Sequence, residues 1–358
     1  MLFGAYVTQP NALAGSRELA ESRDGALAPL AAGEVDKQFS LGHAVHLEAD
    51  RVGFDLILFA ERHLGPDIAA WVMASAIGVQ TKRIRSMIAI HPGLIHPVMI
   101  AKLAASLDRV CPGRMAINIV TGWNKPEIEM FGSPLMAHSD RYACAAEWLH
   151  IIRELWTRDE PFDFEGKFYN IKKGYVQPKP VQKPFPAVMN AGGSDLGQHF
   201  AAKHCDMVYV VFGSHDFDEC KAKVDSYRNL ARKEYGREIQ VWSYAYVVQA
   251  DTEKEAQAYF DYYVNQKGDW AAAENLVNTM IANAKTLPKE VLAEMKKHFI
   301  AGWGGYPIIG TPEQIVDGLI TMSKMGLDGT LLNWPRYIQD QRWFQKHVYP
   351  LVKQAGLR

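Results

Sequence analysis

Short apolar runs without polar alternation recur along the chain, separated by longer stretches in which apolar residues return every three or four positions. The runs at residues 2–7, 54–60, 84–90 and 115–120 are rich in β-branched and aromatic residues, the pattern of strands covered on both faces. Between them lie helical patterns at 39–52, 68–79 and 98–110, the first stopped by Gly53. The second half resumes the alternation, with strands at 187–190, 207–211, 239–248 and 329–332. Helices open at Leu196, run over 217–235, start again at Thr311 with Pro312 in the first helical position, and close the chain over 341–354. Strand followed by helix, repeated in this way, predicts a parallel sheet, and eight repeats fit one (β/α)8 TIM barrel of class α/β over residues 1–358.

Four stretches depart from the alternation. Residues 8–35, rich in Ala, Gly and Pro, predict a long first loop. After Trp123 comes an excursion with a helix over 139–156, for which Ser139 is the expected cap, and a hairpin over 162–175 turning at Glu165-Gly166. Pro178, Pro180, Pro184 and Pro186 enforce an extended connector. A helical stretch from Thr252 to His298, with Asp251 or Thr252 as its cap, exceeds what one crossover needs. It predicts an insertion over about 252–308 that ends in a glycine-rich mobile loop over about 299–308.

Charge and cysteine usage narrow the class. With 39 basic residues against 40 acidic ones, the chain lacks the basic excess that a nucleic-acid or membrane surface would favour. Its 4 cysteines have no CxxC spacing, which fits a reducing, cytoplasmic setting without a structural zinc. No apolar run reaches membrane-spanning length.

Chemistry is expected at the carboxyl ends of the strands, where barrels hold their ligands. Asn118 is the one polar interruption of the strand 115–120, and Thr121-Gly122-Trp123 puts a hydroxyl, a flexible point and a flat ring beside it. Glu61-Arg62-His63 leaves the second strand with three ionisable groups. Gly192-Gly193-Ser194 follows a strand and opens a helix, so its amides suit an anion such as phosphate, and Arg141 with Tyr142 could add charge and a hydroxyl. A tight glycine turn and a surface ion pair are the plain alternatives. His63, His91 and His96 are candidates for proton transfer. No histidine pair comes with an acidic partner in ligand spacing, so no metal is assigned, and there is no Walker, GxGxxG or GxSxG pattern.

Five ordered segments carry a resemblance over nearly the whole chain: Asn118–Glu127, His138–Tyr142, Phe164–Tyr169, Gly192–Asp195 and Gly310–Glu313. Together they resemble the bacterial luciferase-like flavin monooxygenases, nearest the branch with pyrimidine, dimethylsulfone and alkanesulfonate monooxygenases. The resemblance implies a TIM barrel, dimeric or tetrameric, using reduced FMN delivered by a separate NAD(P)H:flavin reductase. It implies FMN contacts at Glu61, Arg62, Asn118, Glu127, Arg141, Tyr142 and Ser194. The implied reaction passes through a flavin peroxide and puts one atom of O₂ into a small N-heterocycle, amide or organosulfur compound. Phe59, Trp123 and Trp303 would keep water out, and Asn118 would orient the ring. Tyr244 and Tyr246 stand where the alkanesulfonate branch has cations, which disfavours a sulfonate anion. The competing expectations are an F420-dependent oxidoreductase of the same fold and a non-catalytic flavin-binding protein.

Overall fold

The computed structural model describes residues 1–6, 30–64, 68–122, 124–280 and 289–358. The greater part of the expected first loop, and Trp123, lie outside the described residues.

Strands β1 (Leu2–Tyr6), β2 (Leu56–Phe59), β3 (Arg85–Ile90) and β4 (Met115–Ile119) are joined by helices α1 (Lys37–Val52), α2 (Ala70–Gly78) and α3 (Pro97–Val110). Then come α4 (Lys125–Met130), α5 (His138–Thr157) and an antiparallel hairpin of β5 (Phe162–Glu165) and β6 (Asn170–Gly174). The barrel resumes with β7 (Ala187–Asn190), α6 (Asp195–His204), β8 (Met207–Tyr209), α7 (Phe217–Tyr235) and β9 (Gln240–Gln249). The excursion that follows holds α8 (Glu253–Asp261), a π-helical turn (Tyr262–Gln266), α9 (Trp270–Met280) and α10 (Lys289–Gly302). It returns through β10 (Tyr306–Gly310), α11 (Pro312–Lys324), β11 (Gly329–Asn333), α12 (Tyr337–Trp343) and α13 (Tyr349–Gln354).

Eight strands close on themselves in the order β1-β2-β3-β4-β7-β8-β9-β11, all parallel, with β11 back against β1. The TIM barrel expected from the alternation is therefore formed. Leu56, Leu58, Met87, Ala116, Met189, Tyr209, Trp242, Tyr244 and Leu331 fill its lumen, while the larger cluster lies between sheet and helices.

One strand was not expected. β9 is ten residues long and β8 only three, so β8 satisfies Gln240–Trp242 and leaves the carboxyl half of β9 with an open edge. β10 fills that edge, pairing Tyr306–Gly310 with Ala245–Gln249, while β11 occupies the opposite edge. Residues 299–308, read from sequence as a loop, are thus the last turn of α10, a tight turn at Trp303–Gly305 and the start of β10. The cap of α5 also differs. The helix begins at His138 with Ala137 at its N-cap, so Ser139 is inside the first turn. Thr252 and Thr311 do cap α8 and α11, each with a reciprocal side-chain bond from the third helical residue.

Candidate active site

Asn118 is two residues beyond Ala116 on β4, so strand alternation turns it into the lumen at the carboxyl end, beside Ala89 and Met189. It is buried, and its Oδ1 has no hydrogen-bond partner. A buried carbonyl left in this state costs free energy that a donor from a ligand would recover.

Around it, the ends of β2, β3 and β4 bring charged groups together. Glu127, on the first turn of α4, is almost wholly buried; its Oε1 accepts from Arg62 Nε and from the amides of His63 and Leu64, each at 3.2 Å. Burial pushes the Glu127 carboxyl up, but the Leu64 amide and the Arg62 guanidinium outweigh it, and the group stays ionised below the usual range. His63 and His91 face each other with Nε2 and Nδ1 respectively buried and unpartnered. Burial, then the neighbouring His63, drive the His91 pKa down to about 4, so His91 is a neutral imidazole at physiological pH.

Two expected site residues are engaged elsewhere. Glu61 Oε2 accepts from Ala70 N at 3.1 Å, placing its charge at the positive end of α2. His96 is exposed and is the N-cap of α3, its Nδ1 accepting from Val98 N at 3.3 Å. One ring nitrogen is used by the helix, which leaves Nε2 as the only nitrogen His96 could use for proton transfer.

The residues expected to form an anion cradle lie between the starts of α5 and α6. Arg141 Nη2 donates to His138 Nδ1 at 3.0 Å, and His138 Nε2 contacts Ser194 Oγ at 3.0 Å. Since Nδ1 accepts, Nε2 must carry the imidazole proton and donate it to Ser194. Ser194 Oγ also accepts from Gly197 N at 3.2 Å as the N-cap of α6. With both lone pairs used, its hydroxyl proton is the one left to offer an anion. Arg141 Nε is buried without a partner. Gly193 is open on its outer side, with nothing within 4 Å of an added Cβ. Gly192 is different. Its amide donates to Asn190 Oδ1, its carbonyl accepts from Tyr227, and a Cβ there would lie 2.7 Å from Tyr142 Oη. Gly192 is a packing glycine, and the buried Tyr142 holds the α5–α6 junction closed beside it.

His138 joins the site without being singled out by its residue type; its spacing of three from Arg141 at a helix start is the sequence signal, since such residues share a face. Beside the cradle, a cleft of about 270 Å³ runs along the loop after β3 from His91 to Leu94, past Thr121 and Gly122, to Arg141, Cys144 and Tyr169. Over the lumen, Tyr209 and Tyr244 stack at 5.3 Å, Trp303 packs on the lumen cluster, and the Tyr244 hydroxyl donates to the Trp303 carbonyl.

A family model described as luciferase-like monooxygenase matches residues 28–329. The chain belongs to the luciferase-like monooxygenase family. Among its relatives is the FMNH2-dependent dimethylsulfone monooxygenase of Pseudomonas putida, 29% identical over 288 residues that cover 79% of this chain and 78% of that one. Solved structures of the same fold include a riboflavin lyase with modified FMN and riboflavin, at a TM-score of 0.83 and 18% identity over 99% of this chain and 92% of that one. DmoA from Hyphomicrobium sulfonivorans matches at 0.81 and 18% identity, over 99% and 88%. Among luciferase-like monooxygenases, then, the barrel mouth described above is the place to look for the chemistry.

Proposed function

We propose that this chain is a reduced-FMN-dependent monooxygenase that acts on a small uncharged organic molecule. The observation that carries the reading is the polarised Arg141–His138–Ser194 chain at the start of α6, beside a lumen with an orphaned buried amide at Asn118. These residues fit a flavin mononucleotide. The Ser194 hydroxyl, the Arg141 guanidinium and the outer face of Gly193 suit the phosphate, and Asn118 offers an acceptor to a ring N–H. When bound, reduced FMN supplies the two electrons by which one atom of O₂ goes to substrate and the other leaves as water.

The chain's own residues orient and exclude. Glu127 fixes the loop that carries Arg62 and His63, so those groups face the mouth in one arrangement. His91, neutral and buried, presents hydrogen-bonding nitrogens without a charge. His63, with Nε2 free of protein partners, is the candidate to pass a proton. Trp303 covers the lumen, which keeps water from the reacting atoms, whereas Phe59 points away from it, stacked on His46 between sheet and helices. Tyr244 and Tyr246, buried and neutral, give an anionic substrate no countercharge from β9. We extend the proposal to a separate flavin reductase as the source of reduced FMN. The four buried, unpaired cysteines support a reducing, cytoplasmic setting. Exposed Val72 and Val79 beside α2, with Met99, Leu103 and Val110 on α3, support a homodimer or homotetramer.

The test is aerobic turnover with a flavin reductase under ¹⁸O₂, against a panel of heterocycles, amides, sulfones and sulfonates. Label in one product at one atom per turnover is expected. Turnover without O₂, or with F420 in place of FMN, would replace the reading with hydride transfer; flavin bound without any product would leave a binding protein.

A further inference from the structure

At the opposite end of the barrel, where the strands begin, a second cavity of about 400 Å³ is walled by Arg83, Arg85, Arg114 and Arg358, with Asp55 and Tyr349. Four guanidiniums and one side-chain carboxylate line it, and that carboxylate is already used, accepting from Arg358 and from the Phe3 amide. Asp50, next to Arg83, has turned its carboxylate onto the backbone amides of Arg83 and Ile84.

Three of the four guanidiniums have protein acceptors. Arg114 donates to Thr81 Oγ1 and to the carbonyls of Ile84 and Gly78. Arg358 donates to Asp55, Tyr349 Oη and the Gly53 carbonyl. Arg83 donates to the Asp50 carbonyl. Arg85 differs. It begins β3 two residues before the lumen-facing Met87 and in register with the lumen-facing Leu56, so its side chain enters the barrel floor. Its Nε is buried and has no acceptor. A half-buried guanidinium whose Nε is shut off from water without an acceptor, set among three others of the same sign, lacks an anion at its inner edge.

We propose that this floor is a second ligand site, for a small phosphate-type oxyanion, with Arg85 as its main donor. The planar fork of Arg85 would take two oxygens of the anion side by side, as a point charge could not. The site is at the amino ends of the strands and does not depend on the flavin reading.

The experiment is calorimetric titration of the FMN-saturated protein with inorganic phosphate at constant ionic strength, so that the carboxyl-end cradle is already filled. Saturable binding is expected, weakened at least tenfold in Arg85→Leu, with FMN affinity unchanged. Sulfate should compete for the site, glycerol phosphate should compete if the floor takes phosphomonoesters, and acetate should not compete. Arg85→Lys keeps the charge and loses the fork, so it should fold and still bind phosphate more weakly than the native protein. Equal phosphate affinity in the native protein and both variants, or no saturable binding in the native protein, would overturn the proposal.

Discussion

His63 and His91 lie with their ring centroids 6.0 Å apart, tilted by 58°, across the gap between the ends of β2 and β3. Two imidazoles this close to one another, one of them buried, cannot both hold a proton cheaply. His91 is the one that gives way, first because of its burial and second because of His63.

That relationship sets a pH dependence. His91 is uncharged in the fold down to about 4 but takes up a proton near its ordinary value of 6.5 when the chain unfolds. Between those values the unfolded chain binds more protons, so stability is full above the window and falls as pH drops through it, by up to about 1.4 kcal/mol per pH unit for such a group. His204 and His298, likewise lowered to about 4 by burial, add to the slope. Thermal unfolding from pH 7 to pH 4 should show a falling midpoint, with a shallower slope in His91→Asn. An unchanged slope in that variant would show that His91 is not a source of the effect.

Asn118 should trade stability for function. Replacing it with leucine of similar volume removes an unsatisfied buried carbonyl, so the flavin-free protein should unfold at the same denaturant concentration or be more stable by roughly 1 kcal/mol. Coupling of O₂ consumption to product should fall at least tenfold, with hydrogen peroxide released instead. A variant that stays fully coupled would remove Asn118 from the site.

The start of α6 separates two roles of one side chain. Ser194→Ala loses the cap, costing about 1 kcal/mol of stability, and also loses the hydroxyl aimed at the phosphate. His138→Ala leaves the cap bond to Gly197 intact while it breaks the chain from Arg141 and the edge contact with Tyr142. Both variants should bind FMN about tenfold more weakly, which is about 1.4 kcal/mol, while only the first shows the full stability loss. Fluorescence titration with FMN and chemical denaturation read the two effects independently.

Glu127→Ala withdraws the acceptor of three donors at once. Leaving the His63 and Leu64 amides unsatisfied should cost about 1–3 kcal/mol and release the loop after β2. Hydrogen exchange at the His63 and Leu64 amides should rise by an order of magnitude or more. Protection equal to the native protein at those two amides would show that the loop is held by other contacts.

Periodicity and caps made the barrel readable because each strand from 2–7 to 329–332 is a mostly apolar run without regular polar alternation, bounded by a helix pattern. β10 was not readable, because Tyr-Pro-Ile-Ile-Gly becomes a strand only where β9 outruns its short neighbour β8, a property of two distant segments. At the site, Asn118 stood out as an amide in an apolar strand. The uses of Glu61 and His96 did not, since a carboxylate or an imidazole that caps a helix has the same local sequence as one that faces a ligand. Gly192 and Gly193 look alike in the chain, and only packing against Tyr142 and Asn190 tells the structural one from the open one.

The shared edge of β9 has a further result. The ladders that hold the hoop shut, β8 to β9 and β9 to β11, use residues up to Tyr246, whereas the described part of the excursion between Gln249 and Tyr306 rejoins the sheet through the tenth strand and packs Phe260, Tyr263 and Ile300 on Tyr246 and Val248. The excursion thus shares a core with the far end of β9. Changes confined to its outer helices should leave the hydrogen bonds of the hoop beneath in place.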